Sequence, residues 1–429
     1  MAARSVPPTP AGRSRIADET LAPDGNLAID WAARHSPVVD GHVREVLSDG
    51  ALAGRRVAVV VHLEAKTAFL ATVLADAGAE VVVAGSNPHS TRDDVAAALV
   101  DRGLEVHSTR NSGYEAWEKD LLAVADTGPE FIVDDGAELT VRMLRHRPDR
   151  FAALRGVTEQ TTTGVARLRA IDAAGRLPFP TIAANDARCK HLFDNRYGTG
   201  QSTIQAILNL TNMLLPGKVV VIVGYGWVGN GLATYVRAMA GHPVVVEVDP
   251  VRALEARMDG HDVAPIAQAL PRADFVITAT GGVRALGQDH FPLLKDGAIL
   301  ANAGHHDLEI DVESLDRGST AHRVVRAGIE RFTWNGERDI HLLASGALVN
   351  IAGGLGHPIE IMDLSFAVQG LGCHRLAATD LQPGVHLLPD ELDRAIAAAK
   401  LAADGISLDS IADDQRDTVD DWLPPSDGD

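Results

Sequence analysis

Short, uninterrupted apolar runs recur along this chain and alternate with stretches in which apolar residues return every three or four positions. The first run extends from Arg56 to Leu63 (RVAVVVHL), a helical pattern follows from Thr67 to Ala77, and the next run extends from Glu80 to Ala84. Continuous apolar strands that alternate with helices are typical of a parallel sheet with both faces covered. The pattern therefore predicts an α/β fold.

The same alternation predicts elements through most of the remaining chain. Strands are expected at Glu130 to Val133, Pro178 to Ala184, Val219 to Val223, Phe275 to Thr280 and Ala298 to Ala301, and helices at Asn26 to Leu47, Val95 to Val100, Thr203 to Leu214 and Ile361 to Leu371. Gly156 to Gly164 (GVTEQTTTG) is polar and is predicted to be a turn-rich loop. We interpret the polar stretch Asn185 to Ser202 as a crossover between domains, and Gly353 to Pro358 as the return crossover.

The stretch from Pro216 to Asp249 has the most specific local signature. An apolar run ends in a glycine-rich turn (GYGWVGNG), a helical pattern follows, and a second apolar run closes on Glu247. Strand, glycine turn, helix and strand in this order form the dinucleotide-binding βαβ unit. Gly224 permits the tight turn, Gly226 lets the backbone approach a pyrophosphate, and Gly229 lets the helix pack closely on the strand.

The acidic residue at the end of this unit indicates which dinucleotide is bound. Glu247 lies 18 residues beyond Gly229, close to the spacing at which a carboxylate binds the ribose hydroxyls of NAD. A carboxylate at this place repels the 2′-phosphate of NADP. The sequence therefore predicts NAD as the cofactor.

These elements predict two parallel-sheet domains, one inserted into the other. We expect a substrate-binding domain at 26–195 and 356–387, with a Rossmann NAD-binding domain at 196–355 inserted between its two parts. Residues 1–25 are expected to form a flexible tail, and 388–429 a short, acidic, helical C-terminal segment.

Composition narrows the class of protein further. The chain has 429 residues and a formal net charge of −19, which argues against nucleic acid and anionic membranes as partners. Two cysteines give no disulfide framework, the apolar runs are far shorter than a membrane span, and the N-terminal residues have no apolar signal core. We therefore expect a cytoplasmic protein with a small-molecule substrate, and we predict no metal site.

Polar groups with acid–base chemistry flank several of the apolar runs and glycine turns. They are His62, Asp135, Lys190, Asp194, Asn195, His305 and His357. Each has a structural alternative, since a lone histidine is usually a buried core residue, Asp-Gly is usually a turn, and Asp-Asn often caps a helix. Taken together, they suggest an acid–base site shared by two domains.

At this point the chain resembles the adenosylhomocysteinase family. The resemblance extends from about Asn26 to Asp420 and is carried by FIVDDGAELT, TEQTTTGV, the NDxxxKxxFDNxYG pattern, VGYGxVGxG, EVDP, NAGH and GHP. It implies a two-domain fold with a hinge, one tightly held NAD per subunit, and a homo-oligomer, a tetramer or a dimer. In that family NAD oxidises the 3′-hydroxyl of S-adenosylhomocysteine, the acidified C4′ proton and the 5′ substituent leave, water adds, and the ketone is reduced again.

The resemblance also implies residue roles. It assigns Lys190 and Asp194 to the sugar hydroxyl that is oxidised, and His62, Asp135 and His305 to proton transfer around C4′ and C5′. It assigns other positions to binding, whether or not they keep the family's residue: Thr161, Thr162, Thr163, Asn195, Gly224, Gly226, Val228, Gly229, Glu247, Thr280 and Asn350 to NAD, and Glu64, Lys66, Thr67, Gln160, Leu355 and His357 to the substrate.

The sequence departs from the family at the sugar and base edges of the substrate. Glu64 and Gln160 replace a threonine and a glutamate that meet the ribose 2′ edge. Lys66 replaces the glutamate that accepts from the adenine amino group, and a lysine can only donate. Thr199 stands where the family commonly has a cysteine, and the family's C-terminal tail bearing Lys and Tyr has no counterpart before Asp429.

These departures predict a changed substrate for otherwise familiar chemistry. The leading hypothesis is an enzyme that acts on a modified adenine nucleoside and eliminates water, giving an exocyclic alkene of the angustmycin type. The alternatives are hydrolysis of S-adenosylhomocysteine to adenosine and homocysteine, and a non-catalytic NAD-binding regulatory paralogue. Retention of the full acid–base set argues against the last of these.

Overall fold

The computed structural model describes residues 13–305 and 307–411. Its strands are β1 (Arg56–Val61), β2 (Glu80–Gly85), β3 (Glu105–His107), β4 (Phe131–Asp134), β5 (Gly156–Glu159), β6 (Pro180–Ile182), β7 (Val219–Val223), β8 (His242–Val246), β9 (Asp262–Val263), β10 (Phe275–Thr278), β11 (Ala298–Asn302), β12 (Ser319–Arg326), β13 (Ile329–Trp334), β14 (Arg338–Leu343) and β15 (Gly384–His386).

Its helices are α1 (Ala22–Arg34), α2 (Arg44–Leu47), α3 (Ala65–Asp76), α4 (Asp93–Asp101), α5 (Tyr114–Asp126), α6 (Glu138–His146), α7 (Thr162–Ala173), α8 (Arg188–Lys190), α9 (Thr199–Thr211), α10 (Trp227–Ala238), α11 (Pro250–Met258), α12 (Ile266–Ala269), α13 (Val312–Arg317), α14 (Val349–Ala352), α15 (Ile359–Ala378) and α16 (Asp390–Ala403). Wider π-helical turns at Val38–Val43 and His191–Gly198 lead directly into α2 and α9.

The strands form two sheets, and both are doubly wound. The first has the order β15-β6-β5-β4-β1-β2-β3, and the second has the order β12-β13-β14-β11-β10-β7-β8-β9. In each sheet the strand order reverses beside the strand that comes first in the chain among its parallel strands. This switch point lies between β1 and β4 in the first sheet and between β7 and β10 in the second. Ligands of such sheets bind at this switch point, just beyond the carboxyl ends of the strands.

Alternate side chains of the central strands enter different cores, which explains why these strands are apolar throughout. Val57 and Val59 of β1 pack in one apolar cluster, and Ala58 and Val60 pack in the cluster on the opposite face. In the same way, β7 divides its side chains between the clusters on the two faces of the second sheet. Helices therefore cover both faces, as predicted for a parallel α/β sheet.

The prediction of two parallel-sheet α/β domains is confirmed, and the second sheet also has an antiparallel edge that the sequence analysis did not predict. β12, β13 and β14 form an antiparallel meander, which joins the parallel part through β14 and β11. Seven of the eight residues of β12 are exposed, and the eighth, Ser319, is half-buried. The sequence of this edge strand therefore lacks the apolar run by which the buried strands were recognised.

Three predictions of local structure are corrected. Gly156 to Gly164 is not a loop, because it contains the buried strand β5 and the start of α7. The predicted flexible tail does not extend to residue 25, because Arg15 pairs with Asp120 and α1 begins at Ala22. The C-terminal helix α16 ends at Ala403, and residues 404–411 are not helical. Residues 1–12 and 412–429 lie outside the described residues.

The longest helix of the described chain, α15, is packed inside the protein on nearly all sides. Its buried polar residues bind other elements: Asp363 accepts from the backbone N–H groups of Val38 and Val39, and Gln369 contacts Thr158 of β5. Across the described residues we find no helix with the length and apolar character that crossing a membrane requires.

Candidate active site

The switch points of the two sheets bring the predicted site residues to one cleft. His62 follows β1 and Asp135 follows β4, so two adjacent strands present both side chains at the first switch point. At the second switch point, the glycine turn follows β7, and Thr280 lies shortly after β10. His305 lies in the loop after β11 of the second sheet.

The cleft has a volume of about 830 Å³. Most of the predicted site residues line it: His62, Glu64, Lys66, Thr67, Asp135, Gln160, Thr161, Thr162, Thr163, Lys190, Asp194, Asn195, Gly226, Val228, Thr280, His305, Asn350, Leu355 and His357. Gly224, Gly229 and Glu247 are not part of its lining. Gly224 and Gly229 belong to the glycine turn itself, and Glu247 binds the backbone of that turn at Tyr225.

Two histidines and a carboxylate form one end of the site. The Nε2 atom of His62 lies 3.6 Å from Oδ2 of Asp135, and Nδ1 of His305 lies 3.9 Å from Oδ1 of the same carboxylate. Asp135 is 2% exposed, and its Oδ2 atom also accepts from the hydroxyl of Ser86 at 3.0 Å. Ligand atoms of the three residues lie within 4.8 Å of one another, a spacing that a metal ion could also bridge. Such a trio can hold a proton beside a leaving group.

The other end of the site is an ion-paired network around Lys190 and Asp194. The Lys190 ammonium donates to Oδ1 of Asp194 at 3.1 Å and to Oδ1 of Asn195 at 2.6 Å, and both charged groups are almost completely buried. Asp194 also accepts from the hydroxyl of Ser365 and lies 3.5 Å from Nδ1 of His357. The wide π-helical turn at His191–Gly198 contains both Asp194 and Asn195.

This network keeps Asp194 ionised. Burial alone would raise the pKa of the Asp194 carboxyl, but the charge of Lys190, together with His357 and the Ser365 hydroxyl, holds that pKa well below its usual range. A carboxylate fixed beside an ammonium and open to the cleft can bind a sugar hydroxyl and guide its proton.

A buried carboxylate that the sequence analysis did not single out supports both ends. Glu159, the last residue of β5, accepts from the backbone N–H groups of Gly136, Ala137 and Thr161 and from the Thr161 hydroxyl. It therefore fixes the loop after Asp135 and the start of the threonine run together. Burial, with the charges of Asp134 and Asp135 nearby, raises the pKa of Glu159 to about 8.

The residues of the second switch point fit NAD. Gly224 has φ +101°, and a Cβ there would lie 2.7 Å from the Ala279 carbonyl oxygen, so only glycine suits this turn. A Cβ at Gly229 would lie 2.0 Å from the Gly224 carbonyl oxygen. The turn leads into α10, whose N-terminus favours phosphate. Near the nicotinamide position expected from the resemblance, the buried Oδ1 atom of Asn350 has no hydrogen-bond partner within residues 13–305 and 307–411.

The Glu247 carboxylate is oriented by the same turn. It accepts from the backbone N–H groups of Tyr225, Val248 and Asp249. This arrangement holds a negative charge at the end of β8, next to the glycine turn, where it opposes a 2′-phosphate.

The residues that differ from the family at the sugar and base edges of the substrate have partners that the sequence did not reveal. Lys66 pairs with Glu64 at 2.7 Å and also donates to backbone carbonyls of the return crossover. The hydroxyl of Thr67 donates to the carbonyl of His62 at 2.6 Å. The Nε2 atom of Gln160 lies 3.5 Å from Asp194, while its buried Oε1 atom has no hydrogen-bond partner among the described residues.

One contact joins the two walls of the cleft near His305. The Tyr114 hydroxyl, at the start of α5, donates to Oδ2 of Asp307 at 2.5 Å. Burial and the charge of Asp307 raise the pKa of Tyr114, so the phenol stays protonated and the contact persists through neutral pH. No sequence pattern indicated this pair, because the partners are 193 positions apart.

A doubly wound sheet with a glycine turn, across a cleft from a second sheet that carries acid–base groups, is the arrangement of an NAD-dependent enzyme. Comparisons with known proteins agree. The model of the S-adenosyl-L-homocysteine hydrolase family matches residues 13–150, and that of its NAD-binding domain matches residues 195–356.

Relatives of known name span almost the whole chain. The chain is 44% identical over 413 residues to the adenosylhomocysteinase of Gloeobacter violaceus, covering 96% of both chains. It is also 44% identical to the adenosylhomocysteinase of Thermotoga maritima (93% and 99% covered) and to the S-inosyl-L-homocysteine hydrolase of Methanopyrus kandleri (96% and 98% covered). The chain belongs to the S-adenosyl-L-homocysteine hydrolase family and is an NAD-using enzyme of the adenosylhomocysteinase type.

Proposed function

We propose that this enzyme transiently oxidises the sugar of a modified adenine nucleoside, eliminates a 5′-type substituent as water, and reduces the ketone again. The net reaction is a dehydration that gives an exocyclic alkene, as in an angustmycin-type nucleoside. When bound, NAD supplies the reversible oxidation of the sugar carbinol. One observation carries the proposal. The cleft keeps the family's acid–base residues, but Gln160, a neutral residue, stands at the sugar edge where the resemblance expects a glutamate.

The buried ion pair handles the sugar hydroxyl in this proposal. In it the Asp194 carboxylate would accept the hydrogen bond of the hydroxyl, and the Lys190 ammonium, held by Asp194 and Asn195, would donate to the same oxygen. Because both groups are almost completely buried, water does not compete for that oxygen.

The histidine–aspartate trio handles elimination. Once the neighbouring carbon is a ketone, the proton α to it is acidic, and its removal allows the bond to the terminal substituent to break. Hydroxide leaves only if a proton reaches it as the bond breaks. His62 and His305 flank the Asp135 carboxylate, so this end of the cleft has groups that both accept and deliver protons.

An adenine ketohexose nucleoside is the proposed substrate because of its extra hydroxymethyl group on the anomeric carbon. That group would lie against the sugar edge, where Gln160 stands in place of a glutamate. The Oε1 atom of Gln160, which has no partner in the described part of the chain, would accept from a hydroxyl, and the Gln160 amide donates toward Asp194. A glutamine at this position also removes a second negative charge from beside Asp194.

Hydrolysis of S-adenosylhomocysteine is the second candidate function. Similarity over 96% of the chain to a relative named adenosylhomocysteinase favours it. The two candidates are separated by incubating the purified protein with S-adenosylhomocysteine, S-inosylhomocysteine and adenine ketohexose nucleosides, and reading the products by mass. Rapid homocysteine release with no alkene from any nucleoside would favour the hydrolase.

A further inference from the structure

Lys66 lies in the first turn of α3, and its ammonium is enclosed by the return crossover between the two sheets. It donates to the carbonyl oxygens of Leu355 at 3.1 Å and His357 at 2.8 Å, and it pairs with Oε2 of Glu64 at 2.7 Å. The Lys66 side chain is 6% exposed. A buried ammonium is tolerated only where such partners compensate for its lost hydration.

Two of the lysine's donors are used by the return crossover. An ammonium has three N–H donors and no acceptor; two of these donors go to the carbonyls of Leu355 and His357, and the Glu64 carboxylate beside it compensates the charge. Gly356, between the two carbonyl-bearing residues, has φ +71°, which lets both carbonyls turn toward the same ammonium. The ammonium is thus held by backbone of the return crossover, a role that the resemblance did not suggest, since it assigned Lys66 to the substrate.

The segment that Lys66 holds carries a side chain of the candidate site. The backbone of His357 is bound by Lys66, and its ring is bound on the other side by the Thr199 hydroxyl, 3.0 Å from Nε2, and by Asp194, 3.5 Å from Nδ1. The ring position thus depends on a backbone anchored to α3 as well as on the ion-paired network.

We propose that Lys66 is a positioning residue: its ammonium anchors the return crossover to the first sheet and so places His357 against Asp194. Glu64 completes the anchor by compensating the charge. The anchor itself is independent of the reaction, and only its effect on nucleoside binding rests on the proposed function.

Hydrogen exchange tests the anchor without any substrate. The amide of Gly356 donates to the carbonyl of Asn350 at 2.8 Å and reports on the crossover. In the NAD-bound enzyme, Lys66→Met should speed its exchange by about tenfold or more, because two carbonyls and a carboxylate lose their charged donor. Lys66→Gln, which keeps a donor, should give a smaller increase. Lys119→Met is the control, since the exposed Lys119 pairs with Glu115 of its own helix, α5.

Wild-type exchange at Gly356 in both Lys66 variants would overturn the proposal. If Lys66→Met does not fold, Lys66→Gln decides alone. Exchange of the Gly356 amide at the wild-type rate in Lys66→Gln would then also overturn the proposal. These outcomes do not depend on whether the enzyme dehydrates or hydrolyses its substrate.

A second measurement separates positioning from direct base contact. Nucleoside binding is compared for adenine and for purine lacking the 6-amino group, in the wild-type enzyme and in Lys66→Gln. Positioning predicts that both nucleosides bind more weakly by the same factor, with KM raised more than kcat is lowered. A loss confined to the adenine nucleoside would show that Lys66 touches the amino edge, and would refute the proposal.

Discussion

Replacing Glu159 by glutamine tests whether one buried carboxylate organises both ends of the cleft. Glu159 is fully buried, and its Oε2 atom accepts from the Ala137 amide at 2.8 Å, while Oε1 accepts from Gly136 and Thr161. A glutamine that keeps Oε1 presents an NH2 group to the Ala137 amide. One buried donor then lacks an acceptor, which costs about 1–3 kcal/mol of the free energy of unfolding.

The same substitution changes the pH dependence of stability. Burial and the neighbouring carboxylates raise the pKa of Glu159 from 4.5 to about 8 in the folded protein. Between these values the unfolded chain releases a proton that the folded chain retains. The stability that protonated Glu159 contributes is therefore fully present below pH 4.5 and falls as the pH rises toward about 8. Above about pH 8 it is lost, which lowers the free energy of unfolding by on the order of a few kcal/mol. Glutamine does not titrate, so the variant lacks this loss.

We therefore expect Glu159→Gln to be less stable than the wild type near pH 5, and the difference to shrink or reverse near pH 8. Urea unfolding of the NAD-bound protein, followed by tryptophan fluorescence across this range, measures it. Glu337→Gln, at an exposed position in the turn after β13, is the matched control. Parallel stability curves for wild type and Glu159→Gln would refute the reasoning.

Two further predictions concern the chemistry and the cofactor. Lys190→Ala or Asp194→Ala should retain NAD but prevent substrate from producing the absorbance band of reduced nicotinamide, since both groups act on the sugar hydroxyl; an unchanged rate of its appearance would remove them from the mechanism. Glu247→Ala should weaken the preference for NAD over NADP, because the carboxylate is lost while Arg252, which lines the same cleft near Gly226, remains. Reconstitution of the apo-protein with each dinucleotide measures this, and an unchanged ratio of affinities would contradict it.

The sequence predicted the parts of the fold that have a local signal. Central strands such as β7 are apolar throughout because both faces of the sheet are covered, and the glycine turn after β7 has a spacing that only a nucleotide-binding unit needs. The edge strand β12 was missed because it is exposed and therefore not apolar. β5 was missed because two of its buried residues, Thr158 and Glu159, are polar.

In the candidate site, the residue types were predictable and their partners were not. His62 and Asp135 were recognised because each follows an apolar run, and the switch point explains why they meet. By contrast, the Ser365 hydroxyl reaches Asp194 across 171 positions, and the Lys66 ammonium reaches the return crossover across 289. Such contacts depend on how α15 and the crossover pack, which no local pattern of this sequence specifies.

The fate of the terminal carbon tests the central claim most directly. An adenine ketohexose nucleoside is incubated with the NAD-bound enzyme in heavy-oxygen water, and the products are read by mass. The account predicts an unlabelled product lighter by one water, bearing a terminal alkene, with the cofactor returned to its oxidised form. Recovery of the nucleoside alone, at any enzyme concentration and with or without label at its terminal oxygen, would contradict it.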